Sequence, residues 1–430
     1  MESSPPLHVA VLPFLAFGHL LPGLQLAERL ASRGVRVSFV STPRNIARLR
    51  RPSAARVDFV ELPFPRVDGL PEGAEATTDV PPDKFPLHRK AFDRLSAPFS
   101  AFLEAARAAG NKVDWVIVDS FPAARAFDYK VPCVLHLLYP AAWCAHLGAA
   151  VLRDGPAAGN PVPSFIARGF VATLDECKLV AVRSCVEFEP DKLPLLPEIF
   201  GKPVVPVGLL PPQVDAAYDT AADGDAALTS WLDKQPPRSV VYVALGSEAP
   251  VSVELLRELA LGLDLSGAPF LWALRKPRGD GGDDVLPPGF EERTRGRGLV
   301  ETGWVPQIKI LAHAAVGAFL THCGSSSTVE GLLFGHPFVM LPFMLDQITT
   351  ASYLEETKKV GVRVPRDGKP DGPFDRHGVA GAVRAVLVDE QSRRVFTANA
   401  KKLQEVVADA GCNDRCIDAL VQQLSSYKEP

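Results

Sequence analysis

The sequence predicts an α/β protein built as two halves, each a parallel sheet wrapped by helices. Three observations carry this. The chain has 430 residues, too many for one compact core and suited to two domains of about 200 residues each. Short apolar runs alternate with stretches of helical periodicity in both halves. Between the halves lies Leu209–Asp225, rich in Pro, Asp and Ala and weakly periodic, as an interdomain linker would be. We therefore place a first domain at 1–208, a linker at 209–225, a second domain at 226–402 and a terminal helix at 403–430.

The elements of the first half follow in order. His8–Pro13 reads as a buried strand, Phe14–Gly18 as a loop, and Leu20–Arg33 as a helix that stops at Gly34. Val35–Val40 is a second strand, so the first forty residues form a βαβ unit with a right-handed crossover. Val57–Leu62 is a strand, and Pro63–Pro86 a long Pro-, Gly- and acid-rich loop of the kind that carries function. Leu87–Ala109 reads as one helix, and Asp114–Asp119 and Val131–Leu138 as strands. Gly155–Gly169 reads as loop, with last strands at Leu179–Arg183 and Val204–Gly208.

The second half repeats the rhythm. Ala226–Leu232 is a short helix and Ser239–Leu245 a strand ending at Gly246-Ser247. Val251–Leu265 is a helix, and Phe270–Arg275 and Leu299–Thr302 are strands. Val316–Thr321 (VGAFLT) is a short apolar run suited to a strand buried on both faces. A small-residue turn, His322 to Thr328, leads into a helix beginning at Val329–Phe334. Val339–Pro342 is a strand; Ile348–Val360, Gly378–Val388 and a long final Ser392–Gln423 are helices.

Composition narrows the function classes. Hydrophobic content of 47% and charged content of 22% are ordinary for a globular enzyme, and a net charge of −4 offers no basic footprint for nucleic acid. The N-terminus MESSPPLHVAVLPF carries Glu2 and no basic region, a poor signal peptide. The uncharged runs Leu7–Ala27 and Val131–Leu152 are long enough to span a bilayer, but prolines and histidines interrupt both. We read them as strand, loop and helix, and expect no membrane span. Seven scattered cysteines suggest free thiols in a reducing, cytoplasmic setting. Cys412 and Cys416 lie one helical turn apart, but no other ligand pair accompanies them in the sequence, so no metal site is expected.

Two places concentrate chemistry. A strand that ends in a hydroxyl-rich turn and opens a helix is a ready anion site, because free N–H groups and the positive helix end both face the anion. The turn His322 to Thr328 has that form and says "phosphate" without saying which. In the first half, His19 ends the loop after the first strand, at the sheet edge where catalytic groups sit in open α/β folds. By position alone it is either a general base or a histidine capping a helix. Asp119 ends a buried-looking strand at the same edge, as a partner for that base or as a turn-satisfying acid. No G-x-G-x-x-G follows the first strand, which disfavours a nicotinamide oxidoreductase.

The stretch Trp304–Gln347 resembles the nucleotide-sugar signature of plant-type UDP-dependent glycosyltransferases. The resemblance rests on Trp304, Pro306-Gln307, Ile310-Leu311, His313, Phe319, His322, Gly324, Ser327, Glu330, Gly335, Pro337, Pro342 and Asp346-Gln347. FLAFGHLLP around His19 resembles the N-terminal catalytic loop of the same family. The resemblance implies a GT-B fold, two Rossmann-like domains facing a cleft, with the terminal helix bracing the first. It implies an inverting transfer with His19 as base, Asp119 as its partner, and no metal or other cofactor. For the donor it implies that Trp304 stacks on uracil beside the Val305 backbone, and that Gln307 and Glu330 take the ribose. Ser247, His322, Gly324, Ser325, Ser326 and Ser327 would hold the diphosphate, and Asp346 and Gln347 the sugar, of glucose type. By position alone Trp304 would be an ordinary core indole.

Two departures stand out. Ser325-Ser326 replaces the family's usual Trp-Asn, removing an aromatic wall and an amide donor, and Ile348-Thr349-Thr350 replaces its usual polar turn. An altered donor, or a non-catalytic UDP-sugar or glycoside binder, is the alternative reading. LAFGHLLP, STPRNIARL, LPEGAEATTDVP and Gly246-Ser247-Glu248 resemble the branch-forming subgroup, which adds sugar to flavonoid or terpenoid glycosides. That implies an amphipathic acceptor met by Phe17, Trp143 and Glu248; separately, a monomer is expected.

Overall fold

Parallel strands must bury both faces, and the short apolar runs of this chain do so in two separate sheets. The structure is a computed structural model and describes residues 6–49, 57–119, 131–148, 164–213, 224–246, 249–275, 285–369 and 372–427. Two compact units result: Met1–Leu210 with Asp409–Pro430, and Pro211–Ala408.

The first unit holds a seven-stranded sheet made of β1 (His8–Leu12), β2 (Arg36–Ser41), β3 (Val57–Glu61), β4 (Trp115–Val118), β5 (Cys133–Leu137), β6 (Leu179–Val182) and β7 (Val204–Pro206). The order is β3-β2-β1-β4-β5-β6-β7, and the pairings are parallel. Strand order therefore reverses between β1 and β4, where Leu12 lies level with Val118. The core joins Val9, Val11, Val37, Phe39 and Ile117 to Ile417, Leu420 and Leu424 of the last helix. Trp115 of β4 donates its indole N–H to the Leu424 carbonyl at 3.0 Å, and Arg33 pairs with Asp414 at 2.6 Å. The C-terminal helix is thus part of this unit's core.

The second unit holds a six-stranded sheet: β8 (Val240–Ala244), β9 (Phe270–Ala273), β10 (Gly298–Glu301), β11 (Val316–Thr321), β12 (Phe338–Met340) and β13 (Gly361–Arg363). The order β10-β9-β8-β11-β12-β13 repeats the same reversal, now between β8 and β11. All six residues of β11 are buried, as its uninterrupted apolar run requires.

Several local expectations need correction. Residues 87–109 form two helices, Phe85–Asp93 and Ser96–Ala108. The run 392–423 also breaks: Glu390–Ala408 ends, Asp409 caps the next helix by accepting from Cys412 N–H, and Ala410–Ser426 follows. Aspartate hydrogen-bonds nearby backbone amides outside the helix, which makes it a cap in an otherwise continuous helical pattern. Ser164–Glu176 is a helix that reaches into the segment read as loop, and β13 was not anticipated because three residues carry too little pattern. The helix after β11 begins at Ser325 rather than Val329, so the serines form its first turn. Most of the predicted linker lies outside the described residues. No helix among the described residues is long and apolar enough to cross a membrane.

Two buried histidines tie this fold to pH. His136 of β5 and His336, which precedes β12, are each held near pKa 4 because burial disfavours the imidazolium. An unfolded histidine titrates near 6.5, so below that pH the unfolded chain binds protons that the folded one refuses. The stability difference is absent at pH 7.5 and grows as pH falls from about 6.5 toward 4, reaching up to about 2 kcal/mol per histidine by pH 5. Urea unfolding at pH 7.5 and pH 5 is expected to show a lower midpoint at pH 5, with a smaller drop in His136→Gln; a pH-independent midpoint would contradict it.

Candidate active site

The first unit builds its site at the β1/β4 reversal. β1 ends at Leu12, the chain turns through Phe14, and a helix opens at Phe17 with His19 as its third residue. Asp119 follows β4 directly and is nearly enclosed, its side chain 3% exposed against 21% for His19. One carboxylate oxygen, Oδ1, accepts the Phe14 N–H at 2.8 Å; the other, Oδ2, lies 3.2 Å from His19 Nδ1. Asp119 thus anchors the loop that carries the histidine and lies beside the histidine's Nδ1. The two residues singled out in the sequence are brought together across 100 positions because β1 and β4 are neighbours.

Aromatic and charged groups surround this pair. Phe14 meets the His19 ring edge-on at 5.5 Å, and Tyr139, just past β5, does so at 6.4 Å. Arg89 lies 5.3 Å above the Phe14 ring and 3.3 Å from Asp93. Burial lowers its guanidinium's pKa, against the pull of Asp93 and Asp119. His136 stands one register step beyond the Val118–Leu135 pair, beside Asp119, and its low pKa keeps it neutral there. Sequence reasoning missed Arg89, His136 and Tyr139: none lies in a motif, and each reaches this neighbourhood only through tertiary packing. Phe17 is half-buried at the helix start. Trp143 is buried and stacks on His146 at 5.4 Å, in a helix whose first amides, Ala141 and Ala142, donate to the buried Glu189 carboxylate.

The second unit builds its site at the β8/β11 reversal. The His322 ring, just past β11, lies between two glycines. A Cβ on Gly246 would meet His322 Cε1 at 2.7 Å, and one on Gly324 would meet Nε2 at 2.5 Å. Gly246 also has φ of 78°, open to glycine at no cost. Walled in this way, His322 is pushed down to about 4 by desolvation and stays neutral at pH 7. The next residue, Cys323, adopts φ of 64°, a left-handed conformation costing about 1–3 kcal/mol in a non-glycine residue.

The helix Ser325–Leu333 then begins without a side-chain cap. Its first internal bond is Thr328 N–H to Gly324 carbonyl at 2.9 Å, so the amides of Ser325, Ser326 and Ser327 precede the helical ladder. Among the described residues, His322 Nδ1, Ser325 Oγ and Thr328 Oγ1 are buried with no hydrogen-bond partner. Each such group costs about 1–3 kcal/mol. Three such atoms fall at or beside one helix N-terminus, whose first amides face the same way.

The remaining described donor candidates belong to the same unit. Trp304 is not a core indole: it is 84% exposed, a flat aromatic face held in solvent beside buried Val305. Gln307 donates to Glu330 Oε2 at 2.6 Å and accepts from Tyr242 O–H at 3.1 Å, so the two predicted ribose residues form one network. Tyr242 was missed because a buried strand tyrosine has no sequence signature. Asp346 opens the helix Leu345–Ser352. Gln347 is buried, and its carboxamide oxygen caps that helix by accepting from Phe343 and Met344 N–H at 2.9 and 3.1 Å. Ser247 and Glu248 lie outside the described residues.

Comparison with known proteins fits this geometry. A family described as UDP-glucoronosyl and UDP-glucosyl transferase matches residues 206–411, and one described as glycosyltransferase, N-terminal domain, matches residues 6–131. The chain is 40% identical to UDP-glycosyltransferase 91D2 of Stevia rebaudiana, covering 97% of this chain and 94% of the relative. It is 37% identical to soyasaponin III rhamnosyltransferase of Glycine max, covering 99% and 97%. Among solved structures, Os79 from O. sativa in complex with UDP matches with TM-score 0.78 at 25% identity, covering 97% of this chain and 100% of that one. Arabidopsis thaliana UGT89C1 complexed with UDP-L-rhamnose matches with TM-score 0.80 at 26% identity, covering 98% and 100%. With its two parallel-sheet units of GT-B type, the chain belongs to the plant family 1 UDP-glycosyltransferases, which transfer sugar from a UDP-sugar to a small-molecule acceptor.

Proposed function

We propose that this protein is an inverting glycosyltransferase that moves glucose from UDP-glucose to a hydroxyl of a small-molecule glycoside of terpenoid or flavonoid type. The observation that carries the catalytic reading is the 3.2 Å contact between His19 Nδ1 and Asp119 Oδ2. An alcohol is a weak nucleophile until its proton is removed, and imidazole suits that task near neutrality. With Nδ1 directed at Asp119, Nε2 takes the acceptor proton. The oxygen bonds to the anomeric carbon from the face opposite the phosphate, and UDP leaves with the bonding electrons. Asp119 stabilises the imidazolium that forms.

The UDP-sugar reading rests on the second unit's turn. The helix N-terminus that begins at Ser325 and the unpartnered Ser325 and Thr328 hydroxyls suit a diphosphate. The exposed Trp304 face suits a uracil, and the Gln307–Glu330 pair suits ribose hydroxyls. This arrangement neutralises the leaving group with preorganised donors, without calling on a metal. Asp346 would accept from the sugar hydroxyls. Gln347, with its oxygen in the cap, would contribute Nε2. The aromatic and cationic surroundings of His19 suit an acceptor with both an apolar body and hydroxyls. The soybean relative named for soyasaponin III supports a glycoside acceptor.

Mass spectrometry of a glycoside panel incubated with several UDP-sugars tests donor and acceptor together, with a UDP-glucose product expected. His19→Ala is expected to lower kcat at least a hundredfold with UDP affinity unchanged, in line with the 10²–10⁴ usual for a general base. Equal product formation in both proteins, or none in either, would refute catalysis by this dyad. Gly246→Ala places a methyl against His322 and is expected to weaken UDP binding about tenfold by calorimetry; unchanged affinity would place the diphosphate elsewhere. Ser326→Asn restores an amide donor at the helix N-terminus. One added charge-assisted bond, about 1.5–3 kcal/mol, is expected to raise kcat/KM for UDP-glucose about tenfold or more, and no gain would show that this position does not reach the phosphates.

A further inference from the structure

Four side chains outside the proposed reaction converge on the C-terminal helix. Cys185 and Glu187 lie just past β6, while Cys412 and Cys416 lie one turn apart on the helix Ala410–Ser426. One ligand atom each from Cys185, Glu187 and Cys412 lies within 4.8 Å of the others, and Cys412 Sγ is 3.2 Å from Glu187 Oε2. Cys416 lies one turn beyond Cys412 on the same helix, with its thiol on the same side. The three cysteines are buried, whereas Glu187 is 45% exposed in its side chain and gives the cluster an opening to solvent. In the sequence Cys412 and Cys416 lack a second ligand pair; the fold supplies one from more than 220 residues away.

The spacing suits a tetrahedral soft cation. Thiolate–zinc bonds of about 2.3 Å place two sulfurs about 3.8 Å apart, within about an ångström of the separations present. A divalent ion bound there would hold the sulfurs as thiolates and balance their charge within the buried cluster. Arg415 orients Glu187 through Oε1 at 3.0 Å.

We propose that Cys185, Glu187, Cys412 and Cys416 form a structural site for a soft d10 cation of the Zn2+ class, which staples the C-terminal helix to the segment after β6. Binding is ligand exchange: three S–H protons leave, three metal–sulfur bonds and one metal–oxygen bond form, and nothing is oxidised. The same helix places Ile417, Leu420 and Leu424 in the first unit's core, so the staple steadies that core and takes no part in sugar transfer.

Full-length protein, reduced and stripped with chelator, is titrated with Cd2+ and Zn2+. One Cd2+ per chain is expected, with an ultraviolet thiolate charge-transfer band, displacement by Zn2+ and a higher thermal midpoint. Cys412→Ser is expected to lower Cd2+ affinity at least a hundredfold. Glu187→Gln, a change at an exposed side chain that keeps the fold, is expected to lower it about tenfold with the band retained. Absence of the band, a stoichiometry and affinity unchanged by both substitutions, or isolation of the reduced-and-refolded chain with a Cys185–Cys412 disulfide would overturn the proposal.

Discussion

A parallel sheet whose strand order reverses has one place where the loops leaving two adjacent strands diverge to opposite faces, and both chemically loaded sites of this protein lie at such a place. In the first unit the reversal falls between β1 and β4, and in the second between β8 and β11. Strand C-termini and helix N-termini share that edge, so backbone donors and positive helix ends collect there. Each unit uses the edge the same way. One strand delivers a histidine, His19 or His322; its neighbour delivers the group that fixes it, Asp119 or Gly246. Moving the reversal by one strand would separate both pairs.

The two histidines are held for different chemistry. His19 keeps partial contact with solvent and has a carboxylate at Nδ1, an arrangement that tolerates imidazolium. His322 has no such partner among the described residues and sits between two glycines, where charge is penalised. Neutral and enclosed, it is suited to hydrogen bonding rather than to carrying charge. Around it the second unit carries local costs: a left-handed Cys323, buried hydroxyls on Ser325 and Thr328, and an uncapped helix. Such costs persist where a ligand completes the bonding. Ser325-Ser326 gives this turn short hydroxyls in place of larger side chains.

The C-terminal segment shows a second use of long-range contact. Asp409 breaks what is otherwise a single amphipathic run, and the helix beyond it returns to the first unit's core through Ile417, Leu420 and Leu424. The Trp115–Leu424 hydrogen bond and the Arg33–Asp414 pair fix its register there. The same register brings Cys412 and Cys416 to Cys185 and Glu187.

What could be read from the chain alone follows from what local pattern encodes. The apolar runs of β1, β8 and β11 mark strands because a parallel strand is buried on both faces. The fixed spacings from Trp304 to Gln347 mark a UDP-sugar turn because they belong to one continuous strand–turn–helix segment. The same limits explain the misses. Asp409 looked like one more polar residue in a helical period, and the serines after Gly324 looked like a turn rather than a helix start. Burial and contact between distant residues have no periodic signature. Only the folded sheet puts Arg89, His136 and Tyr139 around His19, exposes Trp304 as a flat face, turns Gln347 inward as a cap, and gathers three cysteines and a glutamate. The sequence by itself determined the alternation of elements and the chemistry of two turns, because these depend on neighbours along the chain. Tertiary structure decided which side chains meet, because strand order sets distance independently of separation in sequence.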